Sequence, residues 1–155
     1  MMDKIHRRLH SDEGFTLVEL MVVVLIIAIL MAIAIPTFLG ARQKAQDRAA
    51  QSNLRNALTA AKVWYVDGET YVATGAQLNA LEPSLSFDDT IANASATVIG
   101  FTGTASTIVM ETQSASGAWF CISDDTSGGG TDYGKTSTTG AKADLDTFAE
   151  CTGGW

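Results

Sequence analysis

Histidine is absent beyond position 10, since the only two, His6 and His10, lie in the first residues of the chain. If that leader is removed, what remains lacks the commonest general base and metal ligand, which excludes most triad and zinc chemistry. Cysteine is as scarce. Cys121 and Cys151 are too few and too far apart for a zinc cage of paired CxxC motifs. Proline occurs twice, at Pro36 and Pro83. Basic residues number 10 against 17 acidic ones, for a formal net charge of −7. The leader's Asp3, Asp12 and Glu13 cancel its Lys4, Arg7 and Arg8, so the rest of the chain keeps −7. Generic polyanion binding depends on clustered Lys and Arg and is disfavoured, although a local basic patch is compatible with this balance, which leaves nucleic acid an open question as a partner. With no nucleophile motif either, neither an enzyme nor a cofactor is expected.

What the chain has in excess is apolar sequence in one place. Hydrophobic residues make up 46% of the 155 positions, but they are concentrated before Arg42. From Leu20 to Ala41 there is no charged residue, and about 20 such residues suffice to cross a bilayer core as a helix. Just before this run stands Glu19. A carboxylate at mid-bilayer costs roughly 2.5–3.5 kcal/mol, so an acid kept beside a membrane segment is a functional candidate that calls for a partner.

The block Gly14-Phe15-Thr16-Leu17-Val18-Glu19, a basic leader before it and an apolar run containing Pro36 after it together resemble the bacterial type IV prepilins, in the manner of the type IVa pilins. The resemblance is strongest over residues 7–65. It implies that a prepilin peptidase cuts between Gly14 and Phe15 on the cytoplasmic side and methylates the new amino terminus at Phe15. It implies that Glu19 then pairs with the Phe15 amine of an adjacent subunit. Such a pair is strongly attractive in a low-dielectric environment, and the other reading leaves Glu19 in the headgroup region. It further implies an α+β ladle fold, in which a long N-terminal helix, membrane-spanning then amphipathic, carries a small antiparallel sheet. The expected divisions are a cleaved leader over 1–14, a transmembrane or filament-core helix over 15–41, and a globular head over 42–155.

The apolar segment follows the junction and is kept, unlike a secretory signal. Lys4, Arg7 and Arg8 on one side are balanced by Arg42, Lys44 and Arg48 on the other, so charge alone leaves the orientation open. One helix is expected from Phe15 to about Val66, with Pro36 and Gly40 marking a kink or a locally unwound stretch. By resemblance that stretch extends on assembly; the plainer reading is a membrane-helix proline with no switching role. Ala50, Leu54, Ala57, Leu58, Ala61 and Tyr65 recur at three- and four-residue steps and form a face that should pack on a sheet. Arg48, Arg55 and Lys62 form a basic stripe, either a solvated surface or a contact with acidic heads of neighbouring subunits.

A short helix is expected over Ala76 to Leu81, then strands over Ala96–Phe101, Ser106–Thr112 and Ala118–Ser123, giving an antiparallel meander of three strands with room for a fourth. The tail from Asp124 to Trp155, with its Ser127-Gly128-Gly129-Gly130 run, reads as loop. In an extracytoplasmic domain Cys121 and Cys151 read as a disulfide pinning that tail, the other arrangement being two unrelated buried thiols. Asp124, Asp125 and Asp132 around the glycine-rich loop are the candidates for calcium, but they lack the EF-hand pattern and a solvated acidic loop with no metal is expected. The scattered aromatics read as core, with no close ring contacts foreseen.

The expected function is that of a structural subunit of a type IV pilus serving adhesion, twitching motility or DNA uptake. The expected partners are copies of itself in a helical filament, the prepilin peptidase, the inner membrane and the pilus assembly machinery. Its expected location is the cytoplasmic membrane as a single-pass protein and then the cell-surface fimbrium. The alternative is a pseudopilin of a type II secretion or competence system, with calcium as its distinguishing ligand.

Overall fold

The computed structural model describes residues 14–136, 147 and 149–155. Residues 1–13 of the expected 1–14 leader, and residues 137–146 and 148 of the expected loop tail, lie outside the described residues. The chain divides into two compact units, one ending at Gly40 and one running from Ala41 to Trp155.

Helix α1 spans Leu17–Gly68. It begins where Thr16 and Glu19 cap each other: Glu19 Oε2 accepts from the Thr16 amide at 2.9 Å and from its hydroxyl at 2.7 Å, and Thr16 Oγ1 accepts from the Glu19 amide at 3.2 Å. This reciprocal box satisfies amides that a helix start would otherwise leave open. The helix stays regular through Pro36 and Gly40, so the unwound stretch considered for that region is absent from this conformation. Pro36 removes one amide donor, and one residue on, the Thr37 hydroxyl donates to the Ile33 carbonyl at 3.0 Å.

Within the second unit, the expected face of α1 is buried: Ala50, Leu54, Ala57, Leu58 and Ala61, joined by Ala60, with Tyr65 partly covered. The small residues let the helix approach the sheet closely, while Leu54 and Leu58 fill the space between. Helix α2, Gly75–Leu81, starts at Thr74, whose amide and hydroxyl both donate to Gln77 Oε1 at 2.7 and 3.0 Å. Its Leu78 is fully buried in the same core.

The sheet has five strands in sequential order: β1 Phe87–Asp88, β2 Ile99–Gly103, β3 Thr107–Gln113, β4 Trp119–Asp125 and β5 Gly130–Thr136. A 3-10 turn over Ile91–Asn93 precedes β2. The β2, β3, β4 and β5 ladders are antiparallel, whereas β1 pairs with β2 in parallel. Alternation along the strands sorts the side chains. Phe101, Ile108, Met110, Phe120 and Ile122 join the core beneath α1, whereas Val109, Trp119 and Cys121 belong to a second cluster with Ala94 and Cys151.

Two expectations are corrected here. The glycine run does not end regular structure but turns the chain back: Gly128 and Gly130 adopt φ of +132° and +73°, conformations open mainly to glycine. The polar stretch Gly130–Thr136 then pairs along the whole of β4, from Asp125↔Gly130 to Trp119↔Thr136. Strand propensity is weak there, and the open edge of β4 supplies what the residues themselves do not. Ring contacts also form, with centroids 4.7 Å apart for Tyr65–Tyr71 and for Tyr133–Trp155. Their members are distant in sequence, or lie on opposite sides of a turn, so spacing alone could not reveal them.

Candidate functional site

Gly14 and Phe15 lie exposed just ahead of the Thr16–Glu19 cap. Glu19 is thus the last acid before the apolar run and the side chain that fixes the first turn of α1. The large apolar side chains of this unit are all exposed, from Val23 at 46% to Phe15 at 80%. The most apolar 18-residue window of the helix has a mean hydropathy of 3.1, and none of it is buried within the chain. Such a contiguous surface is far beyond what a soluble monomer exposes and demands lipid or other protein around it.

In the second unit the basic stripe is divided. Lys62 Nζ lies 2.8 Å from Asp124 Oδ1. Arg55 stacks its guanidinium 4.6 Å from the Trp155 ring centroid. Both are therefore engaged within their own chain, which removes two of the three residues from any simple contact with a neighbouring head. Arg48 is exposed.

Asp124 is buried and has three donors, the ion-pair partner included: Tyr71 Oη at 2.6 Å on Oδ2, and Lys62 Nζ and the Thr131 hydroxyl on Oδ1. Burial pushes its pKa up, but the hydrogen bonds from Lys62, Thr131 and Tyr71 and the Lys62 charge outweigh that and hold it below the usual carboxylate range. Tyr71 is driven the other way, upward, first by burial and then by its bond to Asp124. The three calcium candidates are thereby separated. Asp125 accepts from the Ser127 amide at 2.8 Å and hydroxyl at 2.6 Å, and Asp132 sits opposite Ser123 rather than opposite Asp124. Among the described residues no group of three or more His, Cys, Asp or Glu side chains is placed to hold a metal.

Cys121 and Cys151 form a disulfide with their Cα atoms 5.8 Å apart. The tail then crosses the free edge of β5: Gly153 bridges Gly134, and the Gly154 amide donates to the Tyr133 carbonyl at 2.8 Å. Trp155 ends on the core side, its indole N–H shared between the Cys121 and Gly134 carbonyls at 3.0 Å each. The sequence offered the disulfide that pins this tail but not its pairing with β5, the Trp155 anchor or the Tyr71–Asp124–Lys62 cluster. The Thr-x-x-Glu cap at 16–19, by contrast, was open to reading as a helix start.

An exposed apolar helix with a capped acidic entrance, and a small α+β head closed by a disulfide, define a membrane-inserting subunit class rather than a self-contained globular protein. The prokaryotic N-terminal methylation motif matches residues 9–35. The chain is 30% identical over 117 residues to the type IV wide pilus major component PilA4 of Thermus thermophilus, covering 76% of this chain and 86% of that protein. It is 43% identical over 60 residues to the type IV major pilin protein PilA of Myxococcus xanthus, covering 39% of this chain and 27% of that protein. It is 33% identical over 75 residues to the type II secretion system core protein G of Vibrio cholerae, covering 48% of this chain and 51% of that one. The chain belongs to the type IV pilin family.

Proposed function

We propose that this protein is a structural subunit of a type IV pilus. A prepilin peptidase cleaves it between Gly14 and Phe15 and methylates Phe15. The helix over 15–41 holds the subunit in the cytoplasmic membrane and then packs with copies of itself in the filament, with the head over 42–155 carried on the cell surface. Glu19 and the Phe15 amine of an adjacent copy make the assembly contact, and the Pro36–Gly40 stretch is where α1 has least backbone bonding to lose if it extends. The observation that carries this reading is the extent of the likeness to a pilus major component, which spans 86% of that protein and so includes the head as well as the methylation motif. The matched part of the secretion protein reaches only about half of each chain.

The second reading, a secretion-system or competence pseudopilin, is favoured by the repeated likeness to type II secretion core protein G from several bacteria. Against its calcium-dependent form stands the engagement of Asp124 by Lys62. The deciding experiment is to shear cells and take the intact mass of the released material. Filaments whose subunit lacks residues 1–14, carries one added methyl group and is two hydrogens short of the reduced mass support the pilus reading. Protein that stays in the membrane fraction after shearing, or surface material that retains Met1, overturns it.

A further inference from the structure

The charged residues of the head fall into those already engaged and those that are not. Arg55, Lys62, Asp124 and Asp125 are occupied within the chain. Arg42, Lys44 and Arg48 at one end of the head segment of α1, and Asp67 and Glu69 at the other, are exposed and make no side-chain hydrogen bond or ion pair among the described residues. The helical period places Arg48, Val63, Val66 and Asp67 on the half of α1 that faces away from Leu54, Ala57 and Ala61. Val63 and Val66 are 47% and 78% exposed, and Val72, four residues past the helix end, is 60% exposed. One solvent face of this helix therefore carries Lys44 and Arg48, one turn apart, at one end and an apolar stretch tipped with acid at the other, while Arg42 lies about 120° round the helix from Arg48.

Glu69 adds a second observation. It follows the last helical residue, Gly68, and takes φ of +52°, the left-handed conformation that glycine adopts without cost at a helix end. A glutamate there carries a backbone cost that glycine would avoid.

We propose that these two ends dock on each other between copies of this chain: Lys44 and Arg48 of one subunit lie against Val63, Val66, Asp67 and Glu69 of another. The inference rests on the reading of the protein as a filament subunit and specifies which head surfaces meet. The charge is complementary, and the two valines supply the apolar area that a charge pair alone lacks. For parallel copies the contact sets a stagger. From Arg48 to Asp67 is about 28 Å of helix and from Lys44 to Asp67 about 35 Å, at ~1.5 Å per residue. A Phe15–Glu19 contact sets a stagger of only about 6 Å by the same rise. The two contacts therefore join each subunit to different neighbours, and the head contact ties together copies that are several steps apart.

Lys44 and Asp67 stand about 35 Å apart along a continuous helix, so a zero-length bond between them must join two copies. Sheared wild-type filaments treated with a carbodiimide are expected to yield Lys44–Asp67 or Lys44–Glu69 linked peptides, in mixed-isotope form when two labelled populations are co-assembled. Arg48→Glu and Asp67→Lys are each expected to lower the filament yield several-fold, and the two together to restore it. Glu69→Gly is expected to weaken the filament while leaving the melting temperature of the detergent-solubilised subunit unchanged or higher. Wild-type filaments in which Lys44 links to other acids, or in which the double reversal repairs nothing, overturn the proposal and leave the pilus reading standing. Loss of binding to anionic phospholipid vesicles on Lys44→Glu and Arg48→Glu, with a filament defect that Asp67→Lys does not repair, assigns the basic end to lipid headgroups and also overturns it. Absence of wild-type filaments removes the pilus reading itself, and the proposal falls with it.

Discussion

Lys62 of α1 and Asp124 of β4 form an ion pair of 2.8 Å with very unequal burial: the lysine side chain is 47% exposed and the aspartate side chain 6%. The asymmetry sets what each partner contributes. The lysine loses little hydration and gains an anion, whereas the aspartate depends on Lys62, Tyr71 and Thr131 for what water no longer supplies. Lys62→Met is therefore expected to cost more than removing an exposed pair, about 1–3 kcal/mol, because it strands a buried charge. Asp124→Asn keeps an acceptor for Tyr71 and is expected to cost less. Urea unfolding of the detergent-solubilised subunit at neutral pH ranks the two, and equal costs would show that the burial of Asp124 is not what matters.

The same cluster sets a pH dependence with two limbs. Asp124 has its folded pKa depressed, so its contribution is present above the ordinary carboxylate range and is lost as the pH falls through the folded value. Tyr71 has its folded pKa raised from 10.0, so its contribution is present below pH ~10 and is lost as the pH rises through the folded value. Melting temperatures between pH 2 and 8 are expected to fall at the acid end in the wild type and to fall less in Asp124→Asn. An unchanged acid limb in that variant would assign acid sensitivity to other carboxylates.

The helix positions and the buried face at Ala50, Leu54, Ala57, Leu58 and Ala61 were legible in the sequence because a 3.6-residue period is a local property. So were the β2, β3 and β4 strands, to within a few residues, through Val98, Ile108, Trp119 and their neighbours. What stayed hidden depends on partners distant in the chain. Gly130–Thr136 holds few strand formers and becomes β5 because β4 offers it a ladder. Asp124 reads as one more acid in an acidic loop until the fold places Lys62 and Tyr71 against it. Of the site at the membrane end, the junction, the acid and the apolar run are contiguous, which is why a motif could carry them.

The disulfide closes a sequence separation of 30 residues. On the chain-entropy account such a loop is worth roughly 3–4 kcal/mol. Reduction, or Cys121→Ser with Cys151→Ser, is expected to lower stability by about that much and to loosen the strap across β5, which among the described residues is then held by Gly153, Gly154 and Trp155. Limited proteolysis is expected to cut the tail of the serine variant before the β2–β4 sheet. Simultaneous digestion of tail and sheet would show that the strap and the sheet unfold as one unit.

At Gly134 the strap passes close against the sheet. A Cβ built there would lie 2.7 Å from Cys121 Sγ and 3.1 Å from the Thr152 amide nitrogen. Neither neighbour is the free end of a flexible side chain, so Gly134→Ala is expected to cost about 1–3 kcal/mol by overpacking. Gly128→Ala meets nothing within 4 Å and is strained only through its φ of +132°. Thiol titration under denaturing conditions separates two routes to a destabilised Gly134→Ala: a fully formed disulfide assigns the loss to packing, and a free-thiol fraction assigns it to failure of the bridge to close.

The cap that Glu19 makes and the assembly role proposed for it can be parted by a single substitution. As the acceptor for the Thr16 amide and hydroxyl it starts α1, and glutamine serves in the same capping box. In the proposed filament it is also the anion that attracts the amine of an adjacent copy, which glutamine could not do. Glu19→Gln is therefore expected to leave helix content and cleavage after Gly14 unchanged and to reduce filament yield severalfold, whereas Glu19→Ala loses the cap as well and costs about a further 0.5–2 kcal/mol at the helix start. The measurements are circular dichroism and intact mass of the membrane-held subunit, set beside the amount released by shearing. Normal filaments from Glu19→Gln would show that Glu19 acts only as a cap and that its charge has no part in assembly.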